Sequence, residues 1–303
     1  MLNAAQHADA NSLKPAPTRI DEASGLTPST QHPGIYWTHN DSRNYFDPTP
    51  TEPALFAVDA QGQLHGELWL EGIKPYDWEA ISHFQQHGQS YLLIADIGDN
   101  RAKRSRGIRL YAIKEPQTIA AKSTQKPAWT LELRYPDGAR DAEAMAVDTH
   151  DNTIYILSKR DNSPQLYSAE LPNKRNSSQM LRLLGSIPPL NAPINTTEPG
   201  DWRVLPYSHQ PTDMAFAPDR SEVALLSYAH IYLYARKPQQ SWLDALQSAP
   251  QVIDLPSARQ YEGLSFSTDG KTLLVVREGQ DTQSDVPILN IPHPSMLTQS
   301  PSQ

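Results

Sequence analysis

The sequence predicts an all-β chain, a five-bladed β-propeller of four-stranded antiparallel blades. Three observations lead there: one segment plan recurs five times, an acidic residue heads each recurrence, and the turns suit hairpins. The five segments are "DEASGLTPSTQHPGIYWTHND", "DWEAISHFQQHGQSYLLIADIGDN", "DAEAMAVDTHDNTIYILSKRD", "PTDMAFAPDRSEVALLSYAH" and "QYEGLSFSTDGKTLLVVREGQD". Each runs from its acid through small and apolar residues, turns on Asp, Asn, Gly or Gln, and climbs a second apolar run. Alternating apolar residues on either side of such turns mark a β-hairpin. A β-sandwich meets the same strand count but has no reason to repeat a strand-initial acid.

A third strand follows every hairpin: "PALFAVDA", "GIRLYAIKEP", "QLYSAEL", "HIYLYARK" and "DVPILNIP". A fourth follows in four cases: "LHGELWLEG", "WTLELRYPDG", "MLRLLGSIP" and "QVIDLP". Four antiparallel strands repeated about a centre are propeller blades. The repeated acids are Glu22, Glu79, Glu143, Asp213 and Glu262, spaced by 57, 64, 70 and 49 residues. The longest gap holds a Pro-, Asn- and Thr-rich insertion at 188–210, and a degenerate sixth blade there is the alternative. The last blade lacks a clear fourth strand, and "LKPAPTRI" near the N-terminus is expected to close the ring and cover its edge. The domain plan is an N-terminal extension at 1–17, a single propeller at 18–290 and a flexible C-terminal tail at 291–303.

A net charge of −8 argues against a nucleic-acid partner, since phosphate binding needs clustered Lys and Arg. The one basic run, "RAKRSR", reads as a solvated loop tip. Cysteine is absent, which removes disulfides, thiolate metal ligands and a cysteine nucleophile. No apolar run approaches the ~20 residues of a membrane-spanning helix, so no transmembrane segment is expected. The first residues lack the basic start and apolar stretch of a signal peptide. A cytoplasmic chain and one exported by a signal outside this sequence both stay open.

In a propeller the first strand of each blade lines the central channel. The five acids are therefore expected near one mouth of it, where their charges repel strongly. A bound cation, protonation or basic neighbours can offset that repulsion. Oxygen-rich, sulfur-free surroundings suit Ca²⁺, which accepts six to eight irregular oxygen ligands. Further candidates at the ends of the second strands are Asn40, Asp41, Asp96, Asp99, Asn100, Asp161 and Glu278. Lys159 and Arg277 stand at the corresponding place in their blades, and a metal beside them makes a pocket for a small anionic ligand. A polar residue at a strand start also serves simply to cap a loop or bond a neighbouring blade. That reading then has to hold five times over.

Other motifs carry less. His83 and His87 have zinc-like spacing but straddle a hairpin turn. Neither G-x-S-x-G nor H-E-x-x-H is present. "STDGKT" lacks the preceding glycines and following helix of a phosphate-binding loop. Trp69, Trp78 and Trp129 read as packing between blades, with Trp78 also placed to stack a ligand ring.

The stretches "EASGL", "DWEAIS", "DIGDN", "DAEAMAVD" and "YEGLSFSTDG" resemble a group of bacterial, mostly uncharacterised secreted propellers akin to phytase-like and esterase-like proteins. The resemblance spans about residues 18–290. Glu79 beside Trp78, and Glu262 in "YEGL", are similar to motifs of the soluble calcium-activated nucleotidases, although here the tryptophan precedes the glutamate. Such a resemblance implies a calcium-binding propeller, usually periplasmic or secreted.

Two functions follow. One is a non-catalytic propeller in which Ca²⁺ pins the blades and the upper face binds a small anionic ligand or a protein partner. The other is a calcium-dependent phosphoester or phosphoanhydride hydrolase. In it Glu22, Glu79, Glu143 and Glu262 hold the ion, Lys159 and Arg277 neutralise phosphate, and Asp96 or Asp99 orients water.

Overall fold

Five antiparallel sheets, built in chain order, surround one axis in a computed structural model that describes residues 20–41, 53–172, 176–194, 196, 200–278 and 286–297. Blade 1 holds Ala23–Pro28, Ile35–Asn40, Ala54–Asp59 and Leu64–Leu70. Blade 2 holds Trp78–Gln86, Gln89–Asp96, Ile108–Lys114 and Trp129–Arg134. Blade 3 holds Ala142–Asp148, Thr153–Ser158, Gln165–Glu170 and Arg182–Ser186. Blade 4 holds Asp213–Phe216, Glu222–Leu226, His230–Ala235 and Gln251–Asp254, and blade 5 holds Tyr261–Phe266, Thr272–Arg277 and Ile288–Pro292. The first strands contact one another in a closed ring, each touching those of the blades before and after it.

The hairpins form where the turn chemistry places them. At Gln86–Gln89 both central residues, His87 and Gly88, have positive φ (51° and 73°), the conformation whose twist matches the flanking strands. The faces of adjacent blades then pack together, so the core is five apolar layers rather than one. Trp37, Leu55 and Leu92 belong to the layer between blades 1 and 2, and Phe84, Leu131 and Met145 to that between blades 2 and 3. Leu157 and Tyr232 join blades 3 and 4, Leu226 and Leu273 join blades 4 and 5, and Leu26, Phe56 and Leu274 close the ring.

Two strands fall outside the sequence pattern. Lys122–Gln125 adds parallel to the outer strand of blade 1, and Ser177–Met180 adds parallel to that of blade 2. Each comes from the connection before the fourth strand of the next blade, so neighbouring blades are stitched at the rim and their edges covered. A short helix, Trp242–Leu246, is capped by Ser241 and packs against the outer strand of blade 3 and the two middle strands of blade 4.

The insertion at 188–210 contributes no strand among its described residues, only a helical turn at Trp202–Val204, so the ring has five blades and not six. Asp201 anchors it, accepting from Arg203 and Ser257 while Arg203 also donates to the Leu255 carbonyl. Blade 5 shows three strands, and the expected contribution of "LKPAPTRI" lies outside the described residues apart from Ile20, buried in the blade 5–blade 1 layer. The extension at 1–17 and residues 298–303 also lie outside them. The last strand runs to Pro292 and a helical turn, Pro294–Leu297, follows.

Candidate metal centre

Local register decides which acids reach the axis. In blades 2, 3 and 5 the pairing of first and second strands slips by one residue, and the extra residue is Glu79, Glu143 and Glu262 respectively. A β-bulge re-aims its residue out of the alternating pattern. In blade 1 the bulge falls on Gly25 instead, and Glu22 sits just before the strand, its carbonyl accepting from Asp41 N at 2.7 Å. Gly25 has φ +73°, and a Cβ there would lie 2.8 Å from Ile81 N, so only glycine lets blades 1 and 2 approach this closely. Blade 4 has no bulge.

Four of the five acids consequently share one environment. Lys159, buried just past the second strand of blade 3, forms an ion pair with Glu143 and donates to Tyr228 Oη at 3.1 Å. Tyr228 donates to Glu262 Oε1 at 3.1 Å, and Gln260 donates to the same oxygen at 2.8 Å. Charges on Glu143, Glu262 and Glu79 hold the Lys159 ammonium above its ordinary range despite burial. Burial also pushes the Glu79, Glu143 and Glu262 carboxyls up. Burial and the charges of Glu262 and Glu22 push Glu278 up to about 10, with a hydrogen bond to Glu22. These groups titrate as one cluster, sharing protons as well as a lysine.

Beside that network Asp41, Asp77 and Glu79 bring carboxylate oxygens within 4.8 Å of one another. Asp77 is fully buried and Glu79 nearly so. After burial, what raises Glu79 most is the charge of Glu143, then Asp41, then Asp77; the opposing pull of Lys159 comes last. Backbone shape makes the crowding possible. Gly98, in "DIGDN", donates to the Asp77 carbonyl at 3.2 Å, and a Cβ on it would lie 2.3 Å from Glu79 Oε1 and 2.7 Å from Asp77 Cγ.

The other predicted residues lie elsewhere. Asp213, without a bulge, turns to the backbone: its carboxyl accepts from Met214 N (2.8 Å), Leu264 N (2.6 Å) and Leu26 N, tying blade 4 to blades 5 and 1. Burial raises its pKa well above the ordinary value, against the pull of those amides. Asp96 accepts from Tyr76 N, Asp77 N and Arg104 Nη1, and so orders the segment that carries Asp77. Asp99 accepts from Arg104 N at 2.6 Å. Arg277 pairs with Tyr261 in the ladder and donates to the Glu278 carbonyl. In register it matches Ser158, one residue short of Lys159. Trp78 is enclosed, edge-on to His39 at 5.6 Å and tilted against Tyr111. Asp77 and Tyr228 escaped the sequence reading as site residues, although Asp-x-Glu in "DWE" and "DAE" is a signal that could have found Asp77.

No protein-family signature matches this sequence, and no curated protein matches it. Among solved structures the chain is similar to hydrazine synthase of Kuenenia stuttgartiensis, at 10% identity over 95% of this chain and 99% of that one, with a TM-score of 0.49. It is also similar to the β-propeller domain of Cps50 (Swd1) from Myceliophteria thermophila, at 8% identity over 91% and 73%, with a TM-score of 0.40. Likeness at that level says nothing about what this chain does. The fold rests on its own five sheets.

Proposed function

We propose that the protein is a binding propeller whose axial carboxylates hold a hard divalent cation, Ca²⁺, through Asp41, Asp77 and Glu79. The observation that carries this reading is their convergence within 4.8 Å, with Lys159 already engaged by Glu143 and Tyr228. An all-oxygen, irregular donor set favours Ca²⁺ over Mg²⁺, which demands near-octahedral geometry, and over softer metals that prefer imidazole or thiolate. The resemblance of "DWEAIS" and "YEGL" to calcium-binding propellers agrees with the choice. A cation there joins residues of blades 1 and 2 and leaves open coordination positions for an anionic group of a ligand or partner.

The hydrolase reading is supported less. Asp96 and Asp99 are committed to Arg104 and to backbone amides, and Lys159 to Glu143, so neither a water-orienting base nor a phosphate-neutralising lysine is at liberty. Melting in EGTA against melting in excess calcium, with a phosphate-release assay alongside, tests the proposal. At a calcium concentration 100-fold above its dissociation constant the ion contributes about 2.7 kcal/mol, which raises Tm by roughly 5 °C. No phosphate should be released from p-nitrophenyl phosphate, nucleotides or phytate. Calcium-dependent turnover would put the hydrolase in its place.

A further inference from the structure

A cavity of about 210 Å³ lies among the first strands of all five blades, beyond Asp213 from the carboxylate cluster. Leu26, Ile81, Met214, Phe216, Leu264 and Phe266 give it apolar walls. An apolar cavity of about 150 Å³ is enough to hold benzene, so this one admits a six-membered ring with a small substituent. Ser82 and His83 of blade 2 add polar groups, and Thr27, Thr149, Ser265 and Thr268 from other blades also line it. His83 Nδ1 is paired with Thr27 Oγ1 at 2.9 Å, and its Nε2 has no hydrogen-bond partner among the described residues. Because the Thr27 hydroxyl can rotate, the Nε2 edge serves as donor or acceptor, and a ligand hydroxyl satisfies either.

Charge narrows the class. Asp148, at the cavity rim, accepts from Arg220 at 2.5 Å and from Trp242 Nε1 at 2.8 Å, and Arg220 also pairs with Asp151 at 2.9 Å, so the cation lining the cavity is already held by two carboxylates. Burial lowers the His83 pKa, keeping the ring neutral at physiological pH, and the Asp213 carboxyl is engaged by the amides of Leu26, Met214 and Leu264. A charged ligand would lose its hydration here and gain no counter-charge. We propose that this cavity is a binding site for a small uncharged aromatic alcohol, its ring against Leu26, Ile81, Met214 and Leu264 and its hydroxyl on His83 and Ser82.

Calorimetric titration of the full chain with p-cresol tests this, with p-toluate as the charged isostere. One p-cresol should bind per chain, equally well in EGTA and in calcium, which separates this site from the cation centre. p-Toluate should bind at least tenfold more weakly. Ala146→Leu, which fills the cavity, should reduce p-cresol affinity at least tenfold; His83→Phe, which keeps the volume, should reduce it several-fold if the first variant fails to fold. The proposal is overturned if p-cresol does not bind, if p-toluate binds equally well, or if p-cresol affinity survives in the folded variants.

Discussion

Lys159 meets the electrostatic demand that the repeated acids impose, and its removal should expose that demand. Lys159→Met leaves Glu143 buried without its partner, which typically costs about 3–5 kcal/mol. The loss should be read by urea denaturation and should be partly recovered in the double variant with Glu143→Gln, since the pair is then removed together. Asp213 makes a second single-residue test. Asp213→Ala leaves the Leu26 and Leu264 amides unsatisfied in the interior, at about 1–3 kcal/mol each, whereas Asp213→Asn keeps an acceptor. The alanine variant should melt well below the asparagine one. Equal melting temperatures would mean that the amides are not what Asp213 serves. At this scale the sequence was half legible. The identity of the acids could be read, but Asp213 looked equivalent to Glu143 although it stands one position later against its partner strand.

The reason is a property of the strands. Hydrophobic alternation reports which residues face a core, and it located four strands in each of blades 1 to 4 because both faces of every blade are buried. It does not report a slip of one residue in the ladder, and that slip is what aims Glu79, Glu143 and Glu262. Nor did it find Lys122–Gln125 and Ser177–Met180, which are short, mostly polar and largely half exposed or exposed, so no apolar alternation marks them. Gly98 tests the element that carries the metal centre. Gly98→Ala puts a methyl group against the Asp77 and Glu79 carboxylates. The variant should lose about 1–3 kcal/mol of stability from overpacking. Calcium affinity, measured by titration, should fall at least tenfold. Unchanged affinity would remove Gly98 from the account.

Across the whole molecule, the axial cluster makes stability depend on pH in an unusual direction. Glu79, Glu143, Glu262 and Glu278 all have pKa values raised in the folded state, so it retains protons that the unfolded chain releases near the ordinary glutamate value. Their contribution is complete at acid pH and is lost as pH rises through the folded values, up to about 10 for Glu278. In EGTA, Tm should therefore decline between pH 7 and pH 10. Calcium binds the deprotonated carboxylates and should flatten that decline. A Tm in EGTA that holds steady or climbs over this range would contradict the cluster's assignment. The ring of blades was legible at this scale because repetition survives divergence of individual letters. The charge balance at its centre was not, since Tyr228 and Lys159 come together only through folding.

The most direct measurement is a calorimetric calcium titration of the EGTA-stripped chain beside its Asp77→Asn variant. One calcium ion per wild-type chain is expected, with affinity at least tenfold weaker in the variant. A wild-type chain that takes up no calcium, or a folded variant that binds it as tightly, would contradict the claim that these carboxylates converge to hold an ion.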